Sequence, residues 1–233
     1  MIEEELSSRV EEVMRILSNR YEVGAFPGKA AGTMIGRQMR DPFRVLISTI
    51  LSHRTQDENT NRAATNLFRV FPTPGSLARA DIREVEKLIK PAGFYRVKAR
   101  NITRVAAILV ERHQGKVPED LDALLELPAV GRKTANCVLV YAFGKQAIPV
   151  DTHVHRISNR LGFVETKNPH QTEEALSRTI PKKHWLRLNE LLVKFGQDVC
   201  RPIAPYCYDC EISDYCDSYP LPTGRKKNEN RAG

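Results

Sequence analysis

Leu127 to Arg156, LPAVGRKTANCVLVYAFGKQAIPVDTHVHR, is the stretch from which the rest of the chain can be read. A short turn, Pro128-Ala129-Val130-Gly131, separates two apolar-periodic segments. The second starts with Lys133 on its first turn and carries Ala135, Val138, Leu139 and Ala142 along one face, which predicts a helix. Pro149 breaks that pattern, and Asp151-Thr152 reads as the start of a further helix. A tight turn feeding a helix start presents backbone N–H groups to an anion such as a phosphate. An amine follows the turn, and a carboxylate opens the next helix eighteen residues later. An amine and a carboxylate near a bound phosphate suit Schiff-base chemistry on a nucleic acid. The competing account is structural: Lys133 as a solvated charge and Asp151 as a simple N-cap.

Composition narrows the setting. The chain has 233 residues and a formal charge of +8, enough length for one large or two small domains and a sign that favours an acidic partner. Nucleic acid ranks first and a membrane surface second. No apolar run is long enough to span a bilayer. The start, MIEEELSSRVEEVMRIL, is acidic and amphipathic, unlike a secretory signal or an Arg-rich transit peptide. Four of the five cysteines fall within seventeen residues, which is not the pattern of a disulfide scaffold in a chain this large. A reducing, cytoplasmic compartment is expected.

Outward from the central stretch, helical periodicity dominates. Leu6, Val10, Val13, Met14 and Leu17 predict an amphipathic helix over 3–20, and residues 23–36 read as a connection. Asp41 and Pro42 are an N-cap and first helical residue, opening a helix that is apolar on most sides and therefore buried. The polar run Ser52-His53-Arg54-Thr55-Gln56-Asp57 follows, either a solvated loop with Asp57 capping a helix over 58–71 or a set of donors beside a ligand. Short helices are predicted near 72–80, 81–90 and 119–126, and a long one over 96–114. Residues 90–104, KPAGFYRVKARNITR, hold five Lys or Arg, no acid and two aromatics. Phe94, Tyr95 and Lys98 there suit a nucleic-acid surface, where cations meet phosphates and rings stack or wedge; a solvated helix face is the alternative. Helices over 170–179 and 184–195 precede the cysteines. No segment alternates like a strand, so the chain reads as all-α.

Cys200, Cys207, Cys210 and Cys216 are spaced C-x6-C-x2-C-x5-C, which suits either a tetrahedral zinc or an iron–sulfur cluster. Only one C-x2-C knuckle is present, and the uneven spacing wraps a loop around something larger than one ion, which favours a [4Fe–4S] cluster. Pro202, Pro205 and Pro220 keep the loop irregular, so a metal would supply much of its folding energy. Cys137, on an apolar helix face, reads as a buried structural thiol.

LPAVGRKTA, VDTHVHR, GFYRVKARNI and the cysteine loop together resemble the helix-hairpin-helix DNA glycosylases of the endonuclease III family, from about Asp41 to Cys216. The resemblance implies two all-helical domains with a DNA cleft between them. One is a six-helix barrel over 35–148. The other joins 1–34 to 149–220 and holds a [4Fe–4S] cluster on the four cysteines, followed by a basic tail over 221–233. Lys133 matches the nucleophilic lysine and Asp151 the catalytic aspartate. The turn Leu127, Ala129, Val130 and Gly131, with Thr134 behind it, matches the phosphate grip. Phe94 falls where the family wedges an apolar residue into the DNA stack, and Arg54 where it fills the gap left by a flipped base. Gln56, Asp57 and His153 are further expected DNA contacts. Two departures stand out: Ala129 replaces a glycine, and SHRTQD replaces SAQATD.

The implied activity is excision of a damaged base, an oxidised pyrimidine first, followed by strand nicking through a lysine Schiff base. The implied partner is duplex DNA with a damaged base or abasic site, bound by a monomer in the cytoplasm at the nucleoid. A mismatch-specific glycosylase is the alternative within the class, and a non-catalytic iron–sulfur DNA binder or redox sensor is the alternative outside it.

Overall fold

A computed structural model describes residues 2–21 and 41–226. Among the described residues there are eleven α-helices, two short 3-10 turns and no strand. Two compact units emerge: 2–21 with 148–226, and 41–147. The predicted connection over 23–36, the 34/35 boundary and the tail beyond 226 lie outside the described residues. No described helix is long and apolar enough to cross a membrane.

The first unit contains α1 (Ile2–Arg20) and, from the C-terminal half, α9 (Thr152–Arg160), α10 (Pro169–Thr179) and α11 (Lys182–Asp198). Its core follows from helical spacing. Val10, Val13, Met14 and Leu17 of α1 are fully buried and join Leu176, Leu188, Leu191, Leu192 and Phe195 in one cluster. Each such side chain contributes about 1.5–3 kcal/mol relative to exposure. α9 and α11 approach closely at Gly196, where a Cβ would lie 2.4 Å from Nδ1 of His153 and 2.9 Å from Cδ1 of Ile157.

The second unit contains α2 (Pro42–Ser52), α3 (Asp57–Val70), α4 (Pro74–Ala78), α5 (Ile82–Leu88), α6 (Tyr95–His113), α7 (Leu121–Leu125) and α8 (Arg132–Phe143). Where the resemblance implies six barrel helices, seven segments are present, α4 and α7 being only five residues long. α2 runs through the middle, buried from Val45 to Leu51 and packed on α3, α6 and α8. Asp41 starts it as its sequence predicts, accepting from the amides of Phe43 and Arg44 with Pro42 at the first position. One predicted cap is corrected. Asp57 does not precede α3 but is its first residue, and Gln56 occupies the N-cap without a side-chain bond. In the first turn a carboxylate still suits the positive end of the helix.

Candidate functional site

The hairpin is built by local chemistry. α7 ends at Leu125 with Glu126 as its C-cap, and the amide of Val130 donates to the carbonyl of Leu127 at 3.1 Å, closing a four-residue turn. Pro128 stands second in that turn and Ala129 third, with φ 61° at Ala129. A type II turn has this pattern, proline at the second position and a left-handed residue at the third, which is why glycine is the usual occupant there. An L-residue in that region costs about 1–2 kcal/mol. The side chains of Leu127 and Val130 are buried, so the turn offers a phosphate its backbone. Gly131 is the N-cap of α8, and no side chain caps that helix. Nothing lies within 4 Å of where a Gly131 Cβ would stand, which leaves room for a ligand against the helix start. Lys133 sits half-buried on the first turn.

Beside the hairpin, α2 ends in the polar run. The His53 ring Nε2 and Oγ1 of Thr134 are 2.9 Å apart, joining the run to the residue after Lys133. Thr134, expected to face DNA, is instead buried. Burial, then the nearby charges of Lys133 and Lys98, hold the His53 imidazole below its ordinary range. Arg54 is exposed in a left-handed conformation, φ 50°, and Gln56 and Asp57 are exposed after it.

Lys98 departs most from expectation. It is not on a DNA-facing surface but 5% exposed, its ammonium donating to the carbonyls of Leu51 and His53 and to Oγ1 of Thr55, each at 2.7 Å. Burial pushes that ammonium down to about 8, while the three acceptors favour the charged form. The signal was available in the spacing: Lys98, Ala99, Ile102, Val105 and Ala106 form one buried stripe of α6. Phe94 precedes that helix at φ 58° and is 64% exposed. Tyr95 is the first helical residue, with the Arg96 guanidinium 5.3 Å from its ring centre. Thr55 and His53, which neither spacing nor resemblance singled out, connect these parts.

In the other unit, Asp151 caps α9. Its Oδ1 accepts from the amides of His153 at 2.8 Å and Val154 at 2.9 Å, and its second oxygen makes neither bond. His153 is half-buried and accepts at Nδ1 from Arg156 at 3.1 Å. Burial lowers the His153 pKa and the neighbouring Asp151 charge opposes that shift.

The four cysteines, all half-buried, line one partly open, apolar pocket together with Leu161, Phe195, Val199 and Ile212. Arg160 donates to Sγ of Cys200 at 3.3 Å and to the carbonyls of Arg201 at 2.8 Å and Pro202 at 3.0 Å. Arg156 donates to the Cys200 carbonyl at 2.9 Å. Burial pushes the Cys210 thiol up to about 12 and raises that of Cys216 as well. Buried thiols of this kind ionise only beside strong positive charge. Among the described residues no three His, Cys, Asp or Glu side chains converge as ligands of a single metal ion. Cys137 is buried at 1% exposure on α8, as its apolar face predicts.

Comparison with known proteins agrees with this geometry. The sequence pattern of the HhH-GPD superfamily of base excision DNA repair proteins matches residues 47–182. The chain is 52% identical to the endonuclease III of Thermotoga maritima over 179 residues, 77% of this chain and 84% of that protein. It superposes on a trapped endonuclease III–DNA covalent intermediate, an estranged-adenine complex, with a TM-score of 0.78 and 34% identity, covering 90% of this chain and 95% of that one. A thermostable thymine-DNA glycosylase gives a TM-score of 0.80 at 24% identity over 91% of this chain and 97% of that one, a likeness of fold alone. The chain belongs to the HhH-GPD superfamily of base excision DNA repair proteins and, within it, to the endonuclease III family.

Proposed function

We infer that this chain is a base excision repair DNA glycosylase with abasic-site lyase activity, acting on duplex DNA with a damaged pyrimidine. The observation that carries the reading is Lys133 on the first turn of a helix that directly follows the hairpin and that no side chain caps. Attack on a sugar carbon needs an amine beside the bound phosphate, and the first turn after the hairpin is where this chain puts one.

A base inside a duplex cannot be reached, so the nucleotide is first extruded, most easily where pairing is already weak. Gly131 and the backbone of the turn hold a phosphate; Arg54 enters the vacated space and Phe94 wedges the stack, with Gln56, Asp57, Tyr95 and His153 as further contacts. The Lys133 amine attacks C1′ and the bond from C1′ to the base breaks, the base leaving with the electron pair and a proton. Asp151 takes up a proton from the amine or stabilises the cationic sugar. The C1′–O4′ bond then opens, O4′ keeping the electron pair and taking up a proton, to leave the imine, and loss of a C2′ proton expels the 3′ phosphate, which nicks the strand. Lys133 favours this lyase over a mismatch-specific glycosylase.

The cysteine loop fits a [4Fe–4S] cluster better than one zinc ion. A single zinc draws its thiolates to about 2.3 Å from one point. The four thiols here line one apolar pocket without converging on one ion. Cys200, Cys207, Cys210 and Cys216 would hold the cluster, which supplies the positive charge that keeps them ionised and the loop folded. Arg156 and Arg160 orient the Cys200 segment.

Borohydride with duplexes carrying oxidised pyrimidines, uracil, mismatches or abasic sites tests the reading, in EDTA to exclude metal-dependent nucleases. The oxidised-pyrimidine and abasic duplexes give a covalent adduct, and Lys133→Gln gives none at unchanged thermal stability. Asp151→Asn keeps the helix cap, since Asn caps as well as Asp, but slows excision about a hundredfold or more. An adduct persisting in Lys133→Gln moves the nucleophile elsewhere, and an unbroken strand in wild type leaves a non-catalytic binder.

A further inference from the structure

Lys98 is a charged group buried in the second unit, and no step of the proposed reaction uses it. Leaving an ammonium uncompensated at that depth would be costly, and the carbonyls of Leu51 and His53 with Oγ1 of Thr55 compensate it. Stability alone does not account for such an arrangement, because well-packed apolar replacements of buried charged groups are often neutral or stabilising.

What the arrangement joins is more telling. The Thr55 hydroxyl also accepts from the amide of Gly93 at 3.1 Å and lies 3.3 Å from the His53 carbonyl as a donor. Lys98 therefore ties the 52–57 turn to α6, and Thr55 ties the same turn to the residue before Phe94. A Cβ on Gly93 would lie 3.1 Å from the carbonyl oxygen of Arg54, so the two loops touch through backbone. On either side of that contact stand Arg54 at φ 50° and Phe94 at φ 58°, both exposed. Two adjacent left-handed residues with side chains outward are an unfavourable pair of conformations that the surroundings must fix.

We propose that Lys98 and Thr55 are positioning residues that lock the Arg54 turn and the Phe94 loop into one rigid probe, so that gap filling and stack wedging occur together. The proposal rests on the DNA roles inferred above for Arg54 and Phe94. The rival is a purely structural lysine that satisfies the last carbonyls of α2.

Full-length chain is assayed on one duplex carrying an oxidised pyrimidine and on the same duplex carrying an abasic site, where no base must be extruded. Thr55→Val lowers single-turnover excision by about tenfold or more, the scale expected when a positioned group is displaced by a fraction of an ångström. Nicking of the abasic duplex stays within about threefold, because the misplaced probe is not needed to expel a base. Thr55→Ser, which keeps the hydroxyl, recovers the loss. Lys98→Met behaves as Thr55→Val does, and combining it with Arg54→Ala costs little beyond Arg54→Ala alone, since the two act through one interaction. Equal losses on both substrates that track melting temperature, additive losses in the double variant, or no loss in Thr55→Val overturn the proposal. Should Lys98→Met fail to fold, the two Thr55 variants decide the matter. A wild-type chain that cuts neither duplex overturns the proposed function itself, and this inference with it.

Discussion

The turn at 52–57 and the loop at 200–221 are both irregular and both polar, yet they are held in different ways. In the turn, the groups that fix the backbone come from the protein: Lys98 reaches three acceptors, and Thr55 and His53 bridge to Gly93 and Thr134. In the loop, regular structure amounts to two 3-10 turns of three residues each, and the thiols face a cavity. The unit also grips it directly: Arg156 and Arg160 hold its entry at Cys200 to Pro202, Arg9 donates to the Tyr215 carbonyl and pairs with Asp217, and Arg20 pairs with Glu211. Both segments are held by their own unit, but only the loop sets four thiols around a shared pocket that a bound cluster would fill. Perturbing the first should have small and local effects, and perturbing the second large ones.

The largest effect expected is from Cys210→Ser. Removing one of four ligands should cost more than about 3 kcal/mol, because metal binding in such loops is folding energy. Iron content and visible absorption fall, and amide exchange accelerates over 200–221 while residues 41–147 keep their protection. Equal deprotection of both units would break the contrast. A smaller effect is expected from acid at His53. Its folded pKa is depressed, so the unfolded chain takes up a proton first, near the ordinary value of about 6.5. The stability it contributes is complete above that pH and is lost as pH falls below it. His53→Asn flattens this part of a melting-temperature profile, and an unchanged slope would mean the ring is not what titrates. The smallest effect is a gain. Ala129→Gly relieves the left-handed strain and should raise stability by about 0.5–1 kcal/mol, after allowing for the freer unfolded chain. The midpoint in urea moves up at constant slope, and a lower midpoint would mean Ala129 is held there by contacts of its own.

The features legible in the sequence are those set within a few residues. Asp41-Pro42 starts α2, the Leu127–Gly131 turn leads into α8 with Lys133 on its first turn, and Asp151 caps α9. The apolar spacing of α1 gives its buried face. Features decided across the chain were not legible. Lys98 looks like a phosphate contact because it is a lysine in a basic run; its spacing from Ala99, Ile102 and Val105 marks a buried face, but the acceptors that satisfy it lie 43 to 47 positions away. Thr134 looks like part of the phosphate grip until His53, 81 positions earlier, claims its hydroxyl. Asp57 was misplaced by one residue because caps and first-turn acids share the same preference. The departures in SHRTQD are informative for a related reason: His53 and Thr55, two of the residues that differ, are the ones that form the long-range bonds.

The contact at Gly196 has a consequence for how this protein can vary. A methyl group at position 196 would overlap the side chains of His153, Ile157 and Arg156, so a larger residue there must displace those side chains. All three side chains belong to α9, the helix headed by Asp151. Change at a chemically inert position on α11 is therefore felt by the side chains of the helix that carries the acid, and residue 196 is expected to vary less than the surface around it.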